Sequence, residues 1–176
     1  MSAGDIDDRL GPEGRLRQLR QDYPELDAYL AKADTLPIQR VSGIPYGAGI
    51  STDGQTRYIN SELQTVLDGV DISLALATHE SVEWALRQFC GIGEDYQDDP
   101  SGHRLANRAE YEKVSELFGV TEETTNGLWA DYDGFLDPQL AALEHAEIIA
   151  PPKDLALYPY EGTPLYEKIR EAQRIG

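Results

Sequence analysis

Residues 78–90 read THESVEWALRQFC, and two ionisable residues fall in the middle of that segment's apolar stripe. Placing each residue about 100° further round an α-helix puts His79, Val82, Glu83, Leu86 and Cys90 on one arc. Ala75 and Leu76 extend the arc at its N-terminal end, and Glu80 lies at its edge. An unpaired charge turned into a protein core costs several kcal/mol, so these groups need partners. A second segment, GHRLANRAEYEKVSELF, repeats the pattern. His103, Ala106, Asn107, Glu110, Tyr111, Val114, Leu117 and Phe118 share one arc, whereas Arg104, Arg108, Glu112, Ser115 and Glu116 lie outside it. A lone inward histidine is commonly a hydrogen-bonded core residue, and a lone inward glutamate commonly pairs with an arginine. Four such residues on two successive helices can be satisfied together by one divalent cation. Neutral imidazole and ionised carboxylate are ligand types that zinc takes at about 2.0–2.2 Å.

Spacing sharpens this expectation. His79 and Glu83 are one helical turn apart and project side by side, the geometry by which HExxH binds zinc with its intervening glutamate as general base. Here the motif is HESVE, so Glu83 stands in place of the second histidine and a third ligand must come from elsewhere. Nineteen residues separate Glu83 from His103, and Asn107 sits one turn beyond. The arrangement resembles the gluzincin metallopeptidases, whose third ligand is a carboxylate on the following helix at a similar distance along the chain, with a polar supporting residue one turn further on. In this chain the glutamate and one histidine have exchanged places. The resemblance implies His79, Glu83 and His103 as metal ligands, with Asn107 in support. Glu80 is then the general base, and Glu110 holds a ligand histidine from behind or ligates directly. An anionic Glu83 in place of a neutral histidine lowers the net positive charge of such a site and weakens its pull on water. That argues for slow chemistry or a structural ion, and it admits Mn²⁺ or Fe²⁺ beside Zn²⁺ in a two-histidine, one-carboxylate set.

A wider stretch carries a second resemblance. The order GISTDGQTRYIN, HESVEWAL, HRLANRAEYEKV, over residues 45–115, is similar to a group of uncharacterised phage and prophage proteins of zincin-like pattern. Those pair a glycine-containing hairpin and a Y-I-D strand with an HE-x-x-E helix and an AH-x-x-A-x-x-x-E helix. The resemblance implies a metallopeptidase-like fold, an extended peptide or protein substrate laid on an edge strand, and residues near Tyr46–Ile50 or Tyr58–Asn60 as that edge. Asn60 stands where the pattern has aspartate.

The elements that must position these residues are legible in outline. Leu16, Leu19, Tyr23, Leu26, Tyr29 and Leu30 fall at three- and four-residue steps, and Pro24 divides them into two short helices. PIQRVSG, YGAGIST and QTRYINS follow as strands, with Asp53-Gly54 as the hairpin turn between the last two. The spacing predicts a short helix over 62–67, the main helix from Ile72 to about Phe89 stopped by Gly91, and a second from Ser101 as N-cap to a stop at Gly119. A further helix is expected from about Pro138 to Ile149, with His145 at its surface, and Trp129, Tyr132 and Phe135 as a clamp. The fold class expected is α+β: mainly helical, with a small antiparallel sheet before an antiparallel pair of helices. Residues 1–14 read as a flexible arm, 15–150 as one zincin-like domain, and 151–176 as an extension that wraps it or reaches a partner.

Composition sets the outer bounds. Thirty-two acidic against 15 basic residues give a formal charge of −17, a field that repels nucleic acids and anionic membrane surfaces. One cysteine excludes an internal disulfide framework and a multi-cysteine zinc site. With no apolar run of signal-peptide or membrane-span type, a cytoplasmic protein of the host cell, or a virion component, is expected. Two functions stand: a zinc-dependent metallohydrolase, foremost a peptidase of phage or prophage type, and a non-enzymatic acidic structural or interaction protein with a structural metal or none.

Overall fold

A computed structural model describes residues 14–93, 101–121, 125–161 and 163–175; the expected arm and most of the loop before Ser101 lie outside them. The first helix, α1, covers residues 14–22, and α2 is Pro24–Ala33. Pro24 takes the first helical position, where a missing N–H costs nothing, and so starts α2 while ending α1. Strands β1 (Ile38–Val41), β2 (Ala48–Ile50) and β3 (Arg57–Asn60) form one sheet in the order β1-β3-β2. β2 runs antiparallel to β3, as the hairpin signal predicts, but β1 runs parallel to it. The sheet is therefore mixed, because β3 returns from the hairpin to lie between its two neighbours.

The hairpin tip shows how sequence chemistry docks the sheet on the helices. Asp53 accepts from Ser51 Oγ and from the Gln55 amide at 2.6 and 3.0 Å. Gly54 adopts a φ of +71°, and a Cβ there would come within 2.5 Å of the Trp84 ring. Tyr29 donates to the Gly54 carbonyl at 2.6 Å, and Trp84 Nε1 donates to that of Thr52 at 3.1 Å.

Helix α3 (Ser73–Cys90) is the centre of the fold. Ala75, Leu76, Val82, Glu83 and Leu86 of the predicted arc are buried, but so are Ala77, Ser81, Trp84 and Ala85 on its other sides. A helix buried on several faces needs several neighbours. α3 packs against α2, against β2 and β3, and along α4 (Gly102–Phe118). Ser101 caps α4 by accepting from the Arg104 amide at 3.2 Å, and Gly91 and Gly119 close α3 and α4 in the left-handed conformation. α4 also buries Leu105 and Ser115, both outside the predicted arc, since Leu105 faces the α1–α2 cluster and Ser115 accepts from Trp129 Nε1 at 2.9 Å.

Two elements differ from expectation. Residues 62–67 are not helical: β4 (Val66–Leu67) and β5 (Val70–Asp71) make a small hairpin whose turn, Asp68-Gly69, has positive φ at both positions. The last long helix, α5, is Thr125–Leu143 with Pro138 inside it, and residues 144–149 are outside any helix. Tyr132, Leu136 and Leu143 enter the core on one face of α5, and this packing outweighs Gly127, Gly134 and the N–H that Pro138 lacks. Past α5 the chain crosses back. Leu155 bridges Ser51, the Ala156 amide donates to Ile50, and the Thr52 amide donates to Asp154. A 3₁₀ turn at Tyr158–Tyr160 and helix α6 (Pro164–Ile175) complete the order, with Leu155 and Ile169 buried beside Ile44 and Tyr58.

Candidate metal centre

α3 and α4 bring their inward polar residues together. His79 Nε2 lies 2.8 Å and His103 Nδ1 2.6 Å from the same oxygen, Oε1 of Glu83. The two imidazole rings meet edge to face with centroids 4.9 Å apart. On its far side His79 Nδ1 stands 2.9 Å from Glu110 Oε1, but off the line that a ring N–H needs, so this buried nitrogen has ion-pair proximity without a hydrogen bond. Glu110 is itself held by Tyr132, which donates to Oε2 at 2.7 Å. The side chains of Glu83 and His79 are only 6% and 12% exposed, that of His103 29%.

Electrostatics follow from this packing. Burial alone would push the His79 imidazolium toward its neutral form, but Glu110 and Glu83 on its two sides outweigh burial and hold its pKa well above the ordinary histidine value. Burial would raise Glu83, yet hydrogen bonds from His103 and His79 outweigh it and keep the carboxyl below its usual range. Without an ion, His79 lies between the carboxyl groups of Glu83 and Glu110, which favour its charged form.

The same atoms suit a divalent cation. One donor atom from each of His79, Glu83 and His103 lies within 4.8 Å of the others, and two imidazoles with a carboxylate are ligands that zinc accepts. Glu110 sits at the second nitrogen of His79, where ligand histidines of metal sites keep an orienting carboxylate. The site opens into a cleft of about 930 Å³ between α3, α4, α5 and the Pro45–Ala48 segment.

Glu80 lines this cleft beside His79, on the side of Tyr46 and β2. Asn107 lines it from α4, half-buried, with no hydrogen bond to His79, Glu83 or His103. His145 is exposed and outside the cluster. Asn60, the departure from the phage pattern, is 1% exposed. Its amide donates to the carbonyls of Ile44 and Tyr46 at 2.9 and 3.2 Å, and its Oδ1 accepts from the Glu62 amide. An aspartate could not donate to either carbonyl, so asparagine suits a position that ties down the cleft wall.

No family model, curated protein or solved structure matches the chain. The functional reading therefore rests on the site. Among the described residues no helix is long and apolar enough to cross a membrane.

Several cleft contacts carry no signal in the sequence. Tyr132 read as part of an apolar clamp, yet its hydroxyl fixes Glu110. Tyr111 donates to both oxygens of Asp133 at 2.7 and 2.9 Å while stacking on Trp129. Tyr158, Tyr160 and Glu161 reach the cleft from the C-terminal segment. Four-residue apolar steps, Leu128, Tyr132 and Leu136, place Tyr132 on the inner face of α5; an extension that wraps the domain is expected, but nothing local announces that residues 158–161 reach this cleft.

Proposed function

We propose that His79, Glu83 and His103 hold one divalent ion, zinc foremost, and that the protein is a metallohydrolase of zincin-like type acting on peptide bonds. The observation that carries this reading is the convergence of three donors from two helices at the floor of a cleft, with Glu110 behind His79. A bound divalent ion supplies a lowered water pKa and polarisation of a substrate carbonyl. Glu80, beside His79 on the same cleft wall, is the group placed to hold the proton that such chemistry displaces. Glu110 and Tyr132 keep the His79 ring oriented. Ala48 pairs with Ile59 at a position of β2 whose flanking residue, Gly47, bonds toward β3. The Ala48 backbone groups thus turn away from β3, at the end of the β2 edge beyond the part that Asp154–Ala156 covers, and an extended peptide would add there. The zincin-like pattern of phage type in the sequence agrees with this assignment.

A second reading has an observation of its own. Glu83 Oε1 already receives both histidines at hydrogen-bond distance, so the carboxylate has partners without an ion, as in a non-enzymatic acidic interaction protein. Elemental analysis separates the two. The metallohydrolase reading expects close to one divalent ion per chain after zinc is supplied, lost in His79→Ala and His103→Ala. A folded wild type that stays metal-free at neutral pH overturns it.

A further inference from the structure

Asn107 is expected to support a metal ligand, yet its half-buried carboxamide makes no hydrogen bond with any described residue. The supporting place is filled by others: Glu110 stands behind His79, and Tyr132 holds Glu110. The remaining neutral polar groups of the cleft differ from Asn107 in this respect. Tyr111 and Tyr132 commit their hydroxyls to Asp133 and Glu110. Tyr158 and Tyr160 have contacts of their own, and the Tyr46 hydroxyl is buried beside Gly49. Asn107 alone of these groups faces the cleft with both donor and acceptor uncommitted.

Its position relative to the candidate metal matters as much. Asn107 lies one turn past His103 and one turn before Glu110 and Tyr111, on the arc of α4 that lines the cleft. Four residues of α-helix advance about 6 Å, close to the span of two residues of extended peptide. A chain with one carbonyl at His79, Glu83 and His103 therefore brings a nearby peptide unit to Asn107. α3 packs against both β2 and α4, so it forms a floor between two walls. One wall carries the Ala48 backbone groups that turn away from β3, and the other carries Asn107. A carboxamide offers a neutral acceptor and a neutral donor, the complement of the N–H and C=O of a peptide unit.

We infer that Asn107 binds the substrate directly: its carboxamide hydrogen-bonds the main chain of a peptide about two residues from the metal, independently of the side chains there. This rests on the metallohydrolase reading, which supplies the metal end of the peptide.

Hydroxamates test it without a known substrate, because the hydroxamate group ligates zinc itself. Three probes are titrated by calorimetry into the full chain loaded with zinc. Acetohydroxamate is too short to reach Asn107. Acetyl-Ala-Ala-Ala-hydroxamate extends from the metal toward the peptide N-terminus, and HONH-CO-CH₂-CO-Ala-Ala-amide extends the other way. At least one extended probe should bind wild type about ten-fold tighter than it binds Asn107→Leu or Asn107→Ala, the size of one to two neutral hydrogen bonds. Acetohydroxamate should change by less than about two-fold. Alanine side chains have no polar atom, so the bond lost is one to the main chain. The inference is overturned if both extended probes bind wild type and variants alike, or if only Asn107→Leu is affected. It is also overturned if acetohydroxamate weakens as much as they do, which would make Asn107 a support of the metal after all. Zinc content, read on the same samples with a chelating dye, keeps the two readings apart. Zinc held with none of the probes bound overturns this inference alone, whereas a wild type that takes up no zinc overturns the metal reading and this inference with it.

Discussion

Glu83→Gln is the substitution that most directly separates a ligand from its neighbours. Two short hydrogen bonds, at 2.8 and 2.6 Å, end on one oxygen of a side chain that is 6% exposed. Each bond to a charged group contributes about 1.5–3 kcal/mol, and breaking a buried pair costs about 3–5 kcal/mol. Glutamine keeps the shape, and its carbonyl still accepts one bond, which puts the cost near the lower end, about 3 kcal/mol. At about 2–4 °C per kcal/mol for a chain of this size, the metal-free variant should melt about 6–12 °C below wild type. Zinc at 100 times its Kd should add about 2.7 kcal/mol to wild type, a rise of about 5–11 °C, and much less to the variant. Glu80→Gln removes no ligand, so it should melt within about 2 °C of wild type and keep the zinc-dependent rise. It should lose about 10²–10⁴-fold of any peptidase activity. Differential scanning fluorimetry with and without zinc reads both variants side by side. If Glu83→Gln melts like wild type and still responds to zinc, or if Glu80→Gln loses that response while Glu83→Gln keeps it, the ligand assignment is wrong.

Three other outcomes follow from the same geometry. In the metal-free protein His79 has a raised folded pKa, so its ion pairs stabilise fully below the unfolded value of 6.5 and fade as pH rises through the folded value. Glu83 has a depressed one, so its contribution is present above 4.5 and fades as pH falls through its folded value. Zinc must displace the His79 proton, so calorimetry in buffers of different ionisation enthalpy should show about one proton released per zinc near pH 7; no release would contradict the carboxylate-held imidazolium. Asn60→Asp should cost about 2–4 kcal/mol at neutral pH, because two carbonyls lose donors and a carboxylate is buried. Hydrogen exchange should then quicken around Pro45–Ala48, and unchanged exchange there would remove Asn60 from the cleft wall. Gly54→Ala should destabilise by about 1–3 kcal/mol, since the Cβ meets the Trp84 ring at a positive φ; a neutral effect on urea unfolding would show that Trp84 can yield.

The helices that carry the site were readable because their signals are local. Ser101, Gly91 and Gly119 mark ends through their own backbone preferences, and the inward polar arcs of α3 and α4 need only the 3.6-residue period. The hairpin at Asp53-Gly54 was readable for the same reason. What escaped depends on distant partners. Pro138 reads as a helix start, but burial of Tyr132 and Leu136 carries α5 through it. The spacing around Leu63 and Thr65 predicts a short helix, yet the Arg40 guanidinium, which donates to the Leu63 carbonyl and to the hydroxyls of Thr65 and Ser73, ties that stretch into an extended path. The parallel pairing of β1 with β3 is likewise a property of the whole chain path rather than of either strand.

The pairing of Asp154–Ala156 with Ile50–Thr52 sets a timetable for biosynthesis. β2 is complete once Ile50 has been made, but the segment that bridges its outer edge lies about a hundred residues later. At ribosomal rates of about 5–20 residues per second, that edge stays open for roughly 5–20 s on every nascent chain. During that interval Ile44 and Tyr58 lack the Leu155 and Ile169 contacts that later bury them. An open strand edge invites pairing with the neighbouring chain on a polysome, and β2 limits the hazard by being three residues long with glycine at its centre. Slowing translation between residues 60 and 150 with rare codons should therefore raise the aggregated fraction, whereas the same delay placed after Ile169 should not.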